Sequence, residues 1–246
     1  WPSGGVVRRL HDRDAWSRLW MERMTPTPLA APAALQPPPC PIPSPLRLPP
    51  GCAPRHLAWH PDTLPDHPAR QQGGRSHARQ LLRHFFDQHL PDYRRGMSSP
   101  LSAGDACSRL SPYLAFGAVS VREIVHAVWR RRTELQAMPP DLRPRGELAG
   151  LKSFESRLHW HCHFIQKLES EPELECRDMH PAFAGLRDAS FDANRLTRWR
   201  RGETGFPLID ACMAMLRETG WINFRMRALL IAFPSYQLWP PWPKPA

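Results

Sequence analysis

Ser108-Arg-Leu-Ser-Pro-Tyr-Leu-Ala-Phe-Gly117 and Trp199-x-x-Gly202-x-Thr204-Gly205-x-Pro207-x-x-Asp210-Ala211-x-Met213, the latter running on to Thr219-Gly220-Trp221-x-x-x-Arg225-x-Arg227, stand on either side of one long amphipathic segment. In the first, Ser108, Arg109 and Ser111 precede a turn started by Pro112. Hydroxyls, an arginine and free backbone N–H groups at the start of a helix suit a phosphate. Ser111-Pro112 is equally an ordinary capped helix start. In the second, Pro207 suits a first helical position and Gly220 a stop, with Leu208, Ile209, Cys212, Met213 and Leu216 as the apolar residues between them.

Outward from these stretches the periodicity is helical. Ala78, Leu81, Leu82, Phe85, Phe86 and Leu90 recur at helical spacing. Ser120 and Glu123 form a capping box ahead of Val121, Ile124, Val125, Val128 and Trp129, which share one face. Arg130, Arg131 and Arg132 are expected at the end of that helix, where its dipole favours cations. The next helix runs from about Glu147 to Glu169, with an apolar seam of Leu148, Leu151, Phe154, Leu158, Ile165 and Leu168. The last carries Ile222, Met226, Leu229, Leu230 and Phe233 on one stripe, and Pro234 interrupts it. Val6 to Met24 reads as a further helix with Val7, Leu10, Trp16, Leu19 and Trp20 apolar. No strand pattern stands out, so the fold class is all-α.

The 246 residues include 30 prolines, about half of them between Pro26 and Pro68, so a folded core is expected mainly after residue 70. A formal charge of +10 favours an anionic partner such as nucleic acid or a phosphate-bearing cofactor. Cys40, Cys52, Cys107, Cys162, Cys176 and Cys212 are scattered without a C-x-x-C pair, which argues against a zinc site or disulfide framework and fits a cytoplasmic location. There is no membrane-length apolar run and no signal peptide. The chain begins at Trp1 and turns Pro-rich after Phe233, and we expect it to be part of a longer protein.

On the central helix Arg157, Trp160, His161 and Phe164 lie at i, i+3, i+4 and i+7 and project together. Aromatic, cationic and imidazole groups on one side suit a ring-shaped, phosphate-bearing ligand; a helix packed on both sides is the plainer reading. His159 and His163 are i, i+4, but no third ligand is evident and no H-E-x-x-H pattern is present, so no metal is expected. Asn223 and Arg227 are also i, i+4, at the margin of the apolar stripe. A partly buried Arg227 needs an anionic or carbonyl partner; a cofactor phosphate would serve, and so would a carboxylate on a neighbouring helix. Arg225 projects elsewhere and is either a contact to DNA backbone or a solvated charge.

These motifs resemble the FAD-binding domain of the cryptochrome/photolyase family. The first is similar to that family's T-S-R-L-S-P-Y-L-x-x-G, and the second to its W-x-x-G-x-T-G-x-P-x-x-D-A-x-M…T-G-W-x-x-x-R-x-R. The resemblance covers about residues 70–242. It implies three parts: residues 1–24 as the tail of an N-terminal α/β domain, 25–69 as a Pro-rich interdomain linker, and 70–246 as a partial, all-α FAD-binding domain whose remainder lies beyond Ala246. It further implies a blue-light-responsive flavoprotein that binds FAD and DNA, with light-driven photolyase chemistry if it is an enzyme.

By position, Tyr93 and Cys107, Ser108, Arg109, Leu110 and Ser111 would hold the FAD phosphates. His161, Asn223, Phe224 and Arg227 would face the cofactor. Arg157, Trp160 and Arg225 would meet DNA, with Trp160 stacking on a flipped base. Trp242 would match the middle member of the family's tryptophan relay, whose outer position is Ala189. Several positions depart from the family pattern. Cys107 replaces Thr, His161 replaces Arg, and Phe224 stands where photolyases carry Asn. Arg157 replaces a glutamate that accepts hydrogen bonds from a thymine dimer, which a guanidinium cannot do. Dimer repair is therefore not expected of this chain. A basic all-α nucleic-acid-binding module without cofactor is the alternative.

Overall fold

Every regular element among the described residues is helical, and none is a strand. The computed structural model describes residues 13–30, 33–34, 67–175, 178, 180–188, 192–241 and 244–245. The chain divides into two units, Trp1–Thr27 with Ala69–Ala246 and, separately, Pro28–Pro68; all elements below belong to the first. They are α1 (Arg13–Met24), α2 (Arg75–His84), α3 (Leu90–Gly96), α4 (Ala103–Ala106), α5 (Ser111–Ala115), α6 (Val121–Ala137), α7 (Glu147–Ser170), α8 (Ala193–Arg201), α9 (Pro207–Thr219) and α10 (Phe224–Phe233). A π-helical turn, Phe85–His89, joins α2 to α3, and another, Pro234–Leu238, follows α10.

Local chemistry sets most of the boundaries. The Ser120 hydroxyl accepts from the Glu123 N–H at 3.2 Å and the Glu123 carboxylate accepts from the Ser120 N–H at 2.9 Å, the capping box read from the sequence. Arg75 also pairs with Glu123 and, with the Ser120 bonds, holds its carboxyl down at about 2 against burial. Asp192 caps α8, Pro207 opens α9, and Gly202 and Gly220 end α8 and α9 in the left-handed region at φ 72° and 68°.

Two apolar clusters form the interior. The larger is built from α1, α2, α3, α6 and α7 around Trp20, Phe85, Leu90, Ile124, Val125, Val128, Leu151 and Phe154. The smaller joins α8, α9 and α10 through Leu196, Trp199, Ile209, Met213, Met226, Leu230 and Phe233. The closest approach of α3 to α7 is at Gly150, where an added Cβ would lie 2.2 Å from the Leu90 carbonyl oxygen, so only glycine fits. Asn223 Nδ2 donates to the Met97 carbonyl oxygen at 3.2 Å, and Arg70 donates to the carbonyls of Arg217 and Glu218 at 3.2 and 3.3 Å.

Three expectations are corrected. The seam of α7 does not run through Ile165 and Leu168, which are 44% and 49% exposed; it continues through Cys162 and Gln166, because α1 packs on that side. Arg130–Arg132 are not at the end of α6, which extends to Ala137. Arg131 pairs with Glu147 at 2.9 Å and Arg132 pairs with Glu155, so carboxylates of α7 hold these two cations where the dipole was expected to act. Leu19 and Leu208 face solvent on their helices. The helix expected from Val6 is described from Arg13, its earlier residues lying outside the described set.

Candidate functional site

A cavity of about 480 Å³ opens where α3, the loop entering α5, α7 and the start of α10 meet. That size lies within the roughly 300–1,000 Å³ of small-molecule sites. Tyr93, Cys107, Ser108, Arg109, Leu110, Ser111, Arg157, Trp160, His161, Asn223, Phe224, Arg225 and Arg227 all line it. Every candidate residue read from the sequence, apart from Trp242, is thus brought to one place. Trp242 and Ala189 lie outside the described residues. Four arginines and a histidine reach the cavity, and no Asp or Glu lines it among the described residues.

The loop before α5 supplies the most constrained donor. Arg109 is a non-glycine residue at φ 51°, a left-handed conformation that costs about 1–3 kcal/mol. Gln71 Nε2 donates to its carbonyl oxygen at 2.8 Å, and its guanidinium lies over the Trp221 ring at 5.1 Å. Its Nε is buried and has no hydrogen-bond partner among the described residues. Burial lowers its pKa, against the pull of Tyr113, Asp105 and Cys107. The flanking serines do not cap α5: its cap position is Leu110, with no side-chain hydrogen bond, which leaves the hydroxyls of Ser108 and Ser111 uncommitted.

Other polar groups of the loop side are quiet. Burial raises the Cys107 thiol to about 11, outweighing Arg109 and Arg157, and its Sγ faces the Met97 carbonyl oxygen at 3.8 Å. The thiol is therefore protonated at neutral pH and is no nucleophile. Tyr93 is buried edge-on against Phe85 and Phe154, and burial raises its hydroxyl above the ordinary range.

On α7 the expected stripe faces the cavity. Arg157 lies over the Trp160 ring at 5.8 Å, and Trp160 meets Phe164 at 5.7 Å. Phe164 stacks on Phe224 of α10 at 6.2 Å, and all three rings are about half exposed. His161 Nδ1 is buried without a partner among the described residues, and burial lowers its pKa. The reading of α7 as a helix packed on both sides is thus overturned at this face. On its other side His159 stacks on Trp20 at 3.6 Å and its Nδ1 donates to the Glu155 carbonyl oxygen at 3.1 Å, while His163 lies edge-on to Trp16 at 6.2 Å. Among the described residues no three His, Cys, Asp or Glu groups gather as a metal site would require.

From α10, Asn223 is buried but committed: its Oδ1 accepts from the Met226 N–H and its amide donates to Met97. Arg227 was expected to be partly buried, with an anionic or carbonyl partner. It is exposed instead, with one long bond to the Ile222 carbonyl oxygen at 3.4 Å, because Met226 and Leu230 take the inward face of α10. Arg225, expected on a separate side, shares the cavity with it. The sequence reading gave Met97, Phe154 and Trp221 no role in the site. Trp221 carried a usable signal, a bulky aromatic directly after the helix-ending Gly220.

Residues 154–246 match the family model described as FAD binding domain of DNA photolyase. The chain is 33% identical over 175 residues to a deoxyribodipyrimidine photo-lyase of Streptomyces griseus, covering 71% of this chain and 34% of that protein. It is 31% identical over 178 residues to cryptochrome-2 of Arabidopsis thaliana, covering 69% and 26%. Among solved structures, a bacterial class III photolyase from Agrobacterium tumefaciens superposes with a TM-score of 0.57 at 28% identity, over 70% of this chain and 33% of that one. An archaeal photolyase from Sulfolobus tokodaii, solved with two FAD molecules, gives 0.53 at 26% identity, over 72% and 34%. The chain thus spans about a third of the length of the curated photolyases it matches.

Proposed function

Because residues 154–246 match the family model described as FAD binding domain of DNA photolyase, we propose that the cavity holds FAD and that its exposed rim meets DNA. One observation carries this reading: among the described residues, Arg109 Nε and His161 Nδ1 are buried nitrogens without a partner, in an aromatic cavity that no carboxylate lines. Buried polar atoms of that kind are costly unless a ligand satisfies them. A ring system bearing phosphates answers both the cations and the aromatic walls, so the donor set fits FAD.

In this reading Arg109, Ser108 and Ser111 hold the phosphates, with Tyr93, Cys107 and Leu110 shaping the wall behind them. His161, Phe224 and Arg227 bound the cofactor, and Asn223 fixes the start of α10 against Met97. Bound FAD supplies light absorption and one-electron transfer. The chain's own residues bind and orient it and exclude water. At the rim, Trp160 offers a stacking face, and Arg157 and Arg225 offer cations to DNA phosphates. Arg157 presents only donors, so the rim as built does not accept hydrogen bonds from a thymine dimer, and a blue-light-responsive flavoprotein is favoured over a dimer-repair lyase.

The test is a titration of FAD with the full chain, followed by flavin fluorescence. Saturable quenching in the native chain, weakened at least tenfold in Arg109→Ala, is expected. Absence of saturable quenching in the native chain overturns the reading and leaves a basic, cofactor-free nucleic-acid binder.

A further inference from the structure

His161 differs from the other cationic groups of the cavity in that it carries charge only when protonated. The titratable and charged groups that share the cavity with it are Tyr93 from α3, Cys107 and Arg109 from the loop before α5, Arg157 on α7 itself, and Arg225 and Arg227 from α10. A guanidinium group is a fixed charge by its chemistry, and burial raises both Cys107 and Tyr93 away from neutrality. His159 and His163 belong to the other side of α7, against Trp20 and Trp16. Within the cavity, then, one group alone changes charge between about pH 5 and 8.

We infer that binding of a phosphate-bearing ligand in this cavity is coupled to the uptake of one proton by His161. The inference rests on the flavin reading above and adds how the site responds to its surroundings. The geometry behind it is the buried Nδ1, which among the described residues has no partner and sits in a cavity with no carboxylate to stabilise an imidazolium. Without ligand, burial favours the neutral ring, and the surrounding cations do not oppose that preference. A ligand anion supplies the missing counter-charge and a hydrogen-bond acceptor, both of which favour the charged ring. The sign follows from linkage: the bound state holds more protons than the free state, so affinity rises as pH falls through the histidine range. The gain is about tenfold for each unit by which the ligand raises the His161 pKa.

The experiment compares FAD affinity of the full chain at about pH 6 and about pH 8, a window set by ordinary histidine titration. The native chain is expected to bind about tenfold tighter at the lower pH, and His161→Gln to lose most of that difference. His161→Arg is expected to bind tightly at both. Thermal melts of each variant without ligand, at both pH values, separate a binding effect from unfolding. An equal pH dependence in His161→Gln overturns the inference, as does an equal dependence with riboflavin, which has no phosphate. Failure to bind FAD at either pH sinks the flavin reading instead, and inorganic pyrophosphate titrated the same way into the native chain and His161→Gln then decides the proton linkage, the comparison of the two chains cancelling the ligand's own titration.

Discussion

On one side of α7, His159 stacks on Trp20 and donates to a backbone carbonyl, and Gln166 accepts from the Trp16 indole N–H at 3.5 Å. On the other, two residues further along, His161 keeps a buried nitrogen without a partner among the described residues, and Trp160 stands half exposed beside Arg157. The same residue types, histidine and tryptophan, serve both sides. Where another helix of the chain covers them the histidine has its backbone acceptor and, among the described residues, the Trp20 indole N–H alone goes without one; where the cavity opens it is the histidine that is left over. Whether the histidine finds an acceptor, rather than residue identity, distinguishes the two faces of α7.

The contrast can be broken most directly at Trp20, which is fully buried. Trp20→Ala should destabilise the chain by about 3–5 kcal/mol in denaturant unfolding; a loss under about 1 kcal/mol would make α1 an appendage and remove the packing side of the comparison. Next in size is Arg109→Gly. Flavin affinity should fall by the worth of a charge-assisted bond, about 1.5–3 kcal/mol. Stability of the ligand-free chain should hold or rise by up to about 1 kcal/mol, since glycine tolerates the left-handed backbone. A parallel loss of stability would show that Arg109 serves the fold and not the ligand. Trp160→Ala should remove about 1–3 kcal/mol of single-stranded DNA affinity and leave the melting curve in place. The smallest effect belongs to His159→Phe, which keeps a ring against Trp20 and should cost less than about 1.5 kcal/mol, with FAD affinity unchanged.

Legibility in the sequence followed the range of the forces involved. The Ser120–Glu123 box, Pro207 and Gly220 act within a turn of their own position, and each could be read without knowing the fold. The cavity stripe of Arg157, Trp160, His161 and Phe164 was legible because helical spacing alone decides which side chains project together. The C-terminal half of the α7 seam was not. What buries Cys162 and Gln166 and leaves Ile165 and Leu168 in solvent is α1, a helix far away in the chain. Arg131 and Arg132 failed for a similar reason, since their carboxylate partners sit on α7. Arg109 lines the cavity, and its left-handed backbone gave no signal in the sequence, because arginine carries no preference for that region.

The position of α1 bears on how the molecule assembles. Helices α2 to α7 follow one another through short connections, so α7 can fold back on α3 once the helices between them have formed. Docking of α1, through Trp16 and Trp20 on α7 and through Arg122 and His126 of α6 on the carbonyls of Arg23 and Met24, has to close the whole chain between Met24 and Arg75. Loop-closure entropy places that step after the local helices have met. The contacts of Trp20 are then absent from the folding transition state. Trp20→Ala should therefore quicken unfolding while leaving the folding rate nearly unchanged. The helix that enters last governs the lifetime of the folded chain, and the speed of its formation is set elsewhere.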